Sequence, residues 1–200
     1  MPPMMSYLAG LGTGLSLIVA IGAQNAFVLK QGLIRQHVFW ICLFCAVSDA
    51  ALILLGVTGM ARIGLAAPWL VQGMRWAGVA FLIWYGARSF RAAWRGEKAL
   101  RPGSEGASLA KALAMIAALT WLNPHVWLDT VVLVGAISAQ WPQPGAFGLG
   151  AMTGSFVFFF ALGYGARLLA PVFARPRAWQ VLEVLIGVVM WTIAVTLIAE

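Results

Sequence analysis

Charge is scarce in this chain. Of 200 residues, 13 are Lys or Arg and 6 are Asp or Glu, about 10% against roughly 25% in soluble domains. With 62% of its side chains apolar, a compact ball of this size has too little interior to hide them and too few charges to coat its surface. That excludes an ordinary cytosolic globule, and the same composition excludes intrinsic disorder. Cysteine is equally sparse. Cys42 and Cys45 set no disulfide framework; they stand three apart inside an apolar run with no acid or histidine nearby, and packing is their expected role. No second histidine or thiolate stands at ligand spacing from the first, so no metal site is expected. What remains is a chain whose solvent is lipid.

A bilayer core about 30 Å thick takes about 20 helical residues. Six apolar runs of that size can be drawn, at roughly 7–29, 38–61, 68–90, 112–137, 145–170 and 178–199. Residues 1–5 hold no basic charge and the first run exceeds a signal-peptide core, so a retained span is expected there. The predicted fold is an all-α membrane protein of six transmembrane helices. Two sets of three spans enter the membrane in opposite senses, an inverted-repeat arrangement that belongs to transporters. The repeats are drawn as 1–93 and 111–200, joined by a charged linker at 94–110.

The net charge of +7 does not signal nucleic acid, because the bases fall in gaps between apolar runs, as membrane proteins carry them. Most lie in the first, third and fifth gaps and their flanks, from Lys30 and Arg35 through Arg88–Lys111 to Arg167, Arg175 and Arg177. The positive-inside rule then puts those gaps and the linker in the cytoplasm and both termini outside. Trp40, Trp69, Trp76, Trp94, Trp121, Trp141 and Trp179 fall mostly near run ends, as interfacial belts require. Arg75, a few residues into span 3, reads as a snorkelling base.

Several polar groups stand where lipid does not tolerate them. A charge near the bilayer centre costs about 2.5–3.5 kcal/mol on insertion scales. Asp49 is halfway along span 2, Asp129 lies in span 4, and Glu183 is near the inner end of span 6, where it can reach the interface. Two readings of Asp49 and Asp129 stand: counter-charges for a cation or proton relays, or carboxyls held neutral by neighbouring helices. Both halves also carry a polar break in their first span, Gly22-Ala23-Gln24-Asn25 and Thr120-Trp121-Leu122-Asn123-Pro124-His125. Pro124 has no N–H and clashes with the carbonyl four residues back, so the helix is expected to kink or open there. The freed carbonyls can meet an ammonium, and half-helix N-termini a carboxylate. His125 is either a proton carrier or a hydrogen-bonded neutral ring. Gly10-x-x-x-Gly14 and Gly150-x-x-x-Gly154 permit close helix contact, within the chain or between chains.

The stretches Gly22–Leu29, Gln31-Gly32 and Ser48-Asp49, with Thr120–Val126 and Leu128-Asp129-Thr130, resemble the two signatures of the bacterial basic amino acid exporters of the lysine exporter (LysE) family. The similarity covers essentially the whole chain, including Gly187–Trp191 in the last run. The resemblance implies an inner-membrane exporter of L-lysine or L-arginine driven by the proton-motive force, six helices, a homodimer, and no bound cofactor. The wider superfamily includes exporters of neutral amino acids, which is the alternative. Glu183 departs from the neutral polar residue associated with that place.

Residues and resemblance converge on a cationic substrate. Asp49, with Asp129 second, is the expected partner of its positive group and of the exchanged proton. Gln24, Asn25, Asn123, the break at Pro124 and His125 complete the expected binding set. No nucleophile elbow or protease acid pair is present, so no enzyme is expected.

Overall fold

In a computed structural model, residues 3–19, 22–59, 68–95, 108–169 and 171–199 are described, and among these the chain is all helix and turn. Helix α1 spans Pro3–Ile18 and α2 Ala23–Ile34; α3 spans Val38–Val57 and α4 Pro68–Arg95. Helix α5 (Leu109–Trp121) is followed by one short turn, α6 (Pro124–Trp127), then a π-helical segment, Leu128–Leu133, and α7 (Val134–Ser138). Helices α8 (Pro144–Gly165) and α9 (Pro176–Ala199) complete the chain. Residues 96–107 of the expected linker, Arg62 of the second gap, and the side chains of Trp69, Arg75, Pro124 and His125 lie outside the described residues.

By length and composition three helical stretches can cross a bilayer, Val38–Val57, Pro144–Leu169 and Pro176–Thr196. The pair α1–α2 makes a fourth if it counts as one broken span. Among the described residues, three or four of the six expected spans are thus long and apolar enough to cross. The expected first span is two helices inclined at 82°. The expected fourth is divided at Leu122–Asn123, where α5 stops and Pro124 opens the next turn. Proline lacks the N–H that would continue α5, so it begins a helix instead. Helix α4 is long enough, at 28 residues, but carries Arg75, Arg88, Arg91 and Arg95.

Glycine decides how the helices approach. Helix α1 lies against α8, with Gly10 and Gly14 facing Phe147 and Ala151, and Gly150 and Gly154 facing Tyr7 and Leu11. The two small-residue motifs thus pair within the chain. Helix α3 meets the π-helical segment and α7 in the same way, Gly56 lying against Val131 and Gly135. The main core gathers α2, α3, α4, α5, α8 and α9 around Ile41, Leu82, Ile116, Phe159 and Met190. A smaller cluster holds Ile53, Val134, Phe147 and Ala151. Outward faces keep Leu8, Val47, Leu54, Leu149, Val157, Leu185 and Val195 exposed, an apolar surface that water would not favour and lipid would.

The tryptophans divide. Trp40, Trp76 and Trp94 are exposed, as a belt requires. Trp121 and Trp179 turn inward, their indoles donating to Ser48 Oγ (3.3 Å) and to the Phe173 carbonyl (2.8 Å). Their N–H groups serve helix contacts rather than an interface.

A Cβ at Gly10 would stand 1.9 Å from the Phe147 carbonyl oxygen, whereas one at Gly12 meets nothing within 4 Å. Gly10→Ala should therefore cost about 1–3 kcal/mol or more by forcing α1 off α8. Gly12→Ala should be neutral or stabilise by up to about 1 kcal/mol. Thermal unfolding of the two variants in detergent checks the contrast.

Candidate functional site

Both breaks open on one cavity. It has a volume of about 170 Å³ and lies at the seam of the two core clusters, touching Ala23 and Ile193 of the larger and Ile53, Val134 and Ala151 of the smaller. Its polar wall consists of Gln24, Asn25, Asp49, Asn123, Asp129, Thr130 and Ser155. Residues far apart in sequence reach it because α2 begins at the first break, α6 begins at the second, and α3 and α8 pass between them.

At each break a side chain from just beyond it meets a carbonyl at the end of the preceding helix. The Asn25 amide donates to the Ile18 carbonyl at 2.7 Å, taking over an acceptor that α1 leaves at its end. The Trp127 indole donates to the Trp121 carbonyl at 3.0 Å, doing the same for α5. Trp121 and Trp127 also meet edge to face, ring centroids 5.7 Å apart. At the start of α2 there is no such help: Gly22 is the N-cap and supplies no side-chain bond. The start of α2, with Gly22, Ala23, Gln24 and Asn25 on the cavity wall, turns the positive end of the helix dipole toward the cavity.

Asp49 is buried, with 4% of its surface exposed. Ser155 donates to its Oδ2 at 2.5 Å, while Oδ1 has no hydrogen-bond partner among the described residues. The Gln24 amide lies close to both the Asp49 carboxyl and the Cys45 thiol, yet its Nε2 is likewise buried without a hydrogen-bond partner. Among the described residues, Oδ1 and Nε2 thus lie near each other at the wall of a single cavity without a hydrogen bond of good geometry. Buried polar atoms in this condition ordinarily have a water or ligand to meet.

Asp129 lies in the π-helical segment, whose wider turn is closed by the Val134 amide donating to the Asp129 carbonyl. Thr130, one residue on, donates to the Val126 carbonyl. Such single π turns recur at functional sites, and here the segment carries Asp129 and Thr130 to the cavity. Asn123 is buried at the gap between α5 and α6. Of the residues expected from sequence, Gln24, Asn25, Asp49, Asn123 and Asp129 are brought together. Pro124 opens α6, and the side chain of His125 is outside the described residues.

Ser155 is not marked by the sequence reading, and Thr130 stands there only as part of a signature, not as a site residue. A serine within the apolar run of α8, immediately after Gly154, was a usable signal; nothing in the sequence indicated the π turn. Cys42 donates to the Phe159 carbonyl at 3.2 Å and Cys45 is fully buried, both within the core. Glu183 is buried and paired with Lys30.

The family model described as LysE type translocator matches residues 15–200. A relative from Aeromonas salmonicida, provisionally named amino-acid transporter YggA, is 41% identical over 193 residues, covering 95% of this chain and 94% of its own. A protein of Salmonella schwarzengrund named arginine exporter protein ArgO is 40% identical over 199 residues, covering 97% and 93%. The protein of the same name from Salmonella typhi is 39% identical over 199 residues, with the same coverage. No solved structure matches the chain.

Removing the Ser155 hydroxyl would leave both oxygens of a buried carboxyl unpaired. Ser155→Ala should lower stability by about 1–3 kcal/mol. In an Asp49→Ala background the same change should cost well under about 1 kcal/mol, because the partner is already gone. Melting temperatures of the four proteins in this cycle test the pairing.

Proposed function

This chain belongs to the LysE type translocator family, and on that premise we propose that it exports basic amino acids, L-arginine and L-lysine, across the bacterial inner membrane in exchange for protons. The observation that carries this reading is the buried Asp49 carboxyl, with one oxygen uncommitted, on the wall of a cavity that no Lys or Arg lines among the described residues. A desolvated carboxylate without an internal counter-charge suits a guanidinium or an ammonium. A neutral amino acid has only its α-ammonium to offer, whereas a basic one brings a second cation for the two acids of this cavity.

The rest of the wall complements the other end of the substrate. The uncapped start of α2 and the spare donor of Gln24 suit an α-carboxylate. Asn25 and Asn123 flank it. Asp129, across the cavity on the π turn, is the second acid for the substrate cation or for the proton.

Expelling a +1 ion from a negative interior costs about 2.3 kcal/mol per 100 mV. Exchange for one incoming proton cancels the charge movement and leaves the proton gradient as the driving force. A carboxylate that takes a proton or a substrate cation, but not both, makes the exchange obligatory. Asp49 is placed in that role.

We read the membrane path as six crossings in two inverted halves, 1–93 and 111–200, joined by a cytoplasmic linker at 94–110, with both termini outside. The packing supports this. Taken as whole spans, the first packs on the fifth through the glycines of α1 and α8, and the fourth packs on the second through Gly135 of α7 and Gly56 of α3. Helix α1 precedes its break, whereas α7 follows its own. The pairs α3 with α8 and α4 with α9 are each their own counterpart under the same exchange of halves.

In proteoliposomes loaded with arginine, Asp49→Asn should cut radiolabelled arginine counterflow at least about 30-fold, since truncating one partner of a buried charge pair costs about 2–5 kcal/mol. Asp129→Asn should cost less. Unlabelled arginine and lysine should compete, and leucine and threonine should not. Normal counterflow by Asp49→Asn removes that residue from the mechanism; competition by leucine assigns the chain to neutral substrates.

A further inference from the structure

A second cavity, of about 540 Å³, lies between α2, α4, α5 and α9. Its charge is the reverse of the first. Lys30, Arg88 and Lys111 line it, with Glu183 as the single acid. Lys30 Nζ and Glu183 Oε1 form an ion pair that ties α2 to α9. Arg88 leans over the Trp84 ring, 5.9 Å from its centroid, and neither Arg88 nor Lys111 has an acidic partner among the described residues. Gln31 Oε1, on the same wall, is buried with no hydrogen-bond partner among the described residues.

The cavities lie in series. On α2, Gln24 and Asn25 line the first while Lys30 and Gln31 line the second. On α9, Ile193 lines the first and Glu183 the second. With a rise of about 1.5 Å per residue, they stand about 9 Å apart along α2 and about 15 Å apart along α9. The second cavity is at the end where the bases gather, the cytoplasmic end on the orientation proposed above.

We infer that this second cavity is a loading site for a free basic α-amino acid, occupied before the central cavity. The inference rests on the exporter reading. Arg88 and Lys111 take the α-carboxylate, Gln31 Oε1 accepts from the α-ammonium, and the cationic side chain displaces Lys30 from Glu183. Breaking a buried ion pair by removing one partner is strongly unfavourable. Exchanging one cation for another leaves Glu183 compensated throughout, while untying α2 from α9. With its α-ammonium held at Gln31, a neutral amino acid has no second cation to put in the place of Lys30, so the exchange selects for side-chain charge before the central cavity is reached. A lipid phosphate would also meet Arg88 and Lys111, but Glu183 opposes it and Gln31 Oε1 has no use for an acceptor.

The test uses purified full-length protein with radiolabelled arginine, and vesicles of zwitterionic phosphatidylcholine. With the central cavity disabled by Asp49→Asn, arginine binding should persist, and adding Glu183→Gln or Arg88→Gln should weaken it about tenfold. Arg88 is exposed, so its replacement leaves folding intact where Glu183→Gln does not. With Asp49 retained, Arg88→Gln should raise the arginine concentration for half-maximal counterflow about five- to tenfold. If Asp49→Asn binds no arginine while the unmodified protein transports it, the loading site is overturned and the exporter reading stands. If the unmodified protein transports no arginine, both fall. If the Arg88→Gln effect appears only when anionic lipid is added, the ligand is a lipid phosphate and the inference fails.

Discussion

Hydrocarbon gives a released backbone group nothing to bond to, and each N–H or C=O left unpaired there costs several kcal/mol. Two breaks in helix occur in this chain, and the cavity between them follows from how that condition is met. Asn25 takes the Ile18 carbonyl and Trp127 takes the Trp121 carbonyl, so each helix end is closed by a side chain six or seven residues on. At the start of α2 the N-cap is Gly22, which has no side chain to close the helix. The positive end of α2 is best tolerated where it faces a polar space, and the cavity supplies one. The breaks therefore need the cavity as much as the cavity needs the residues that the breaks deliver.

Keeping lipid out of that space is the work of glycine. With Gly10 and Gly150 set against the carbonyls of Phe147 and Tyr7, α1 and α8 touch backbone to backbone. Gly56 lets α3 meet the π-helical segment and α7 equally closely. Each glycine inside a helix is worth about 0.5–1 kcal/mol less than alanine; the close contact offsets that and leaves no gap for an acyl chain. In a membrane such packing is a main source of helix association, because burying apolar surface from lipid gains little.

Much of this was legible before any coordinates. Low charge and long apolar runs led to an all-helical membrane chain. Acids in apolar runs marked Asp49 and Asp129, and polar interruptions marked Gln24, Asn25 and Asn123. These signals are local, each visible as a wrong residue for its solvent. What could not be read depended on contacts between distant segments or on backbone detail. The Ser155–Asp49 bond joins residues 106 apart, and the Lys30–Glu183 pair joins residues 153 apart. Glycine motifs announced close packing without naming the partner. The wide turn at Leu128–Leu133 has no composition cue, and the first run carries no proline to announce a break between α1 and α2, only Gly22 and the amides after it. Counting apolar residues gave a continuous span where the chain makes two helices.

The two buried carboxyl groups outside the π turn differ in one respect that bears on coupling. Glu183 has a lysine built in beside it, so its charge is matched whether or not a substrate is present. Asp49 has a hydroxyl on one oxygen, and no Lys or Arg lines its cavity among the described residues. A buried carboxylate with no counter-ion is not sustainable; it takes a proton or finds a cation. On the exchange proposed for this chain, the absence of an internal base around Asp49 is what couples the two fluxes. A lysine placed there would satisfy the carboxylate permanently, and substrate could then leave without a proton arriving. The charge missing from the central cavity is thus as much a part of the mechanism as the charge present in it.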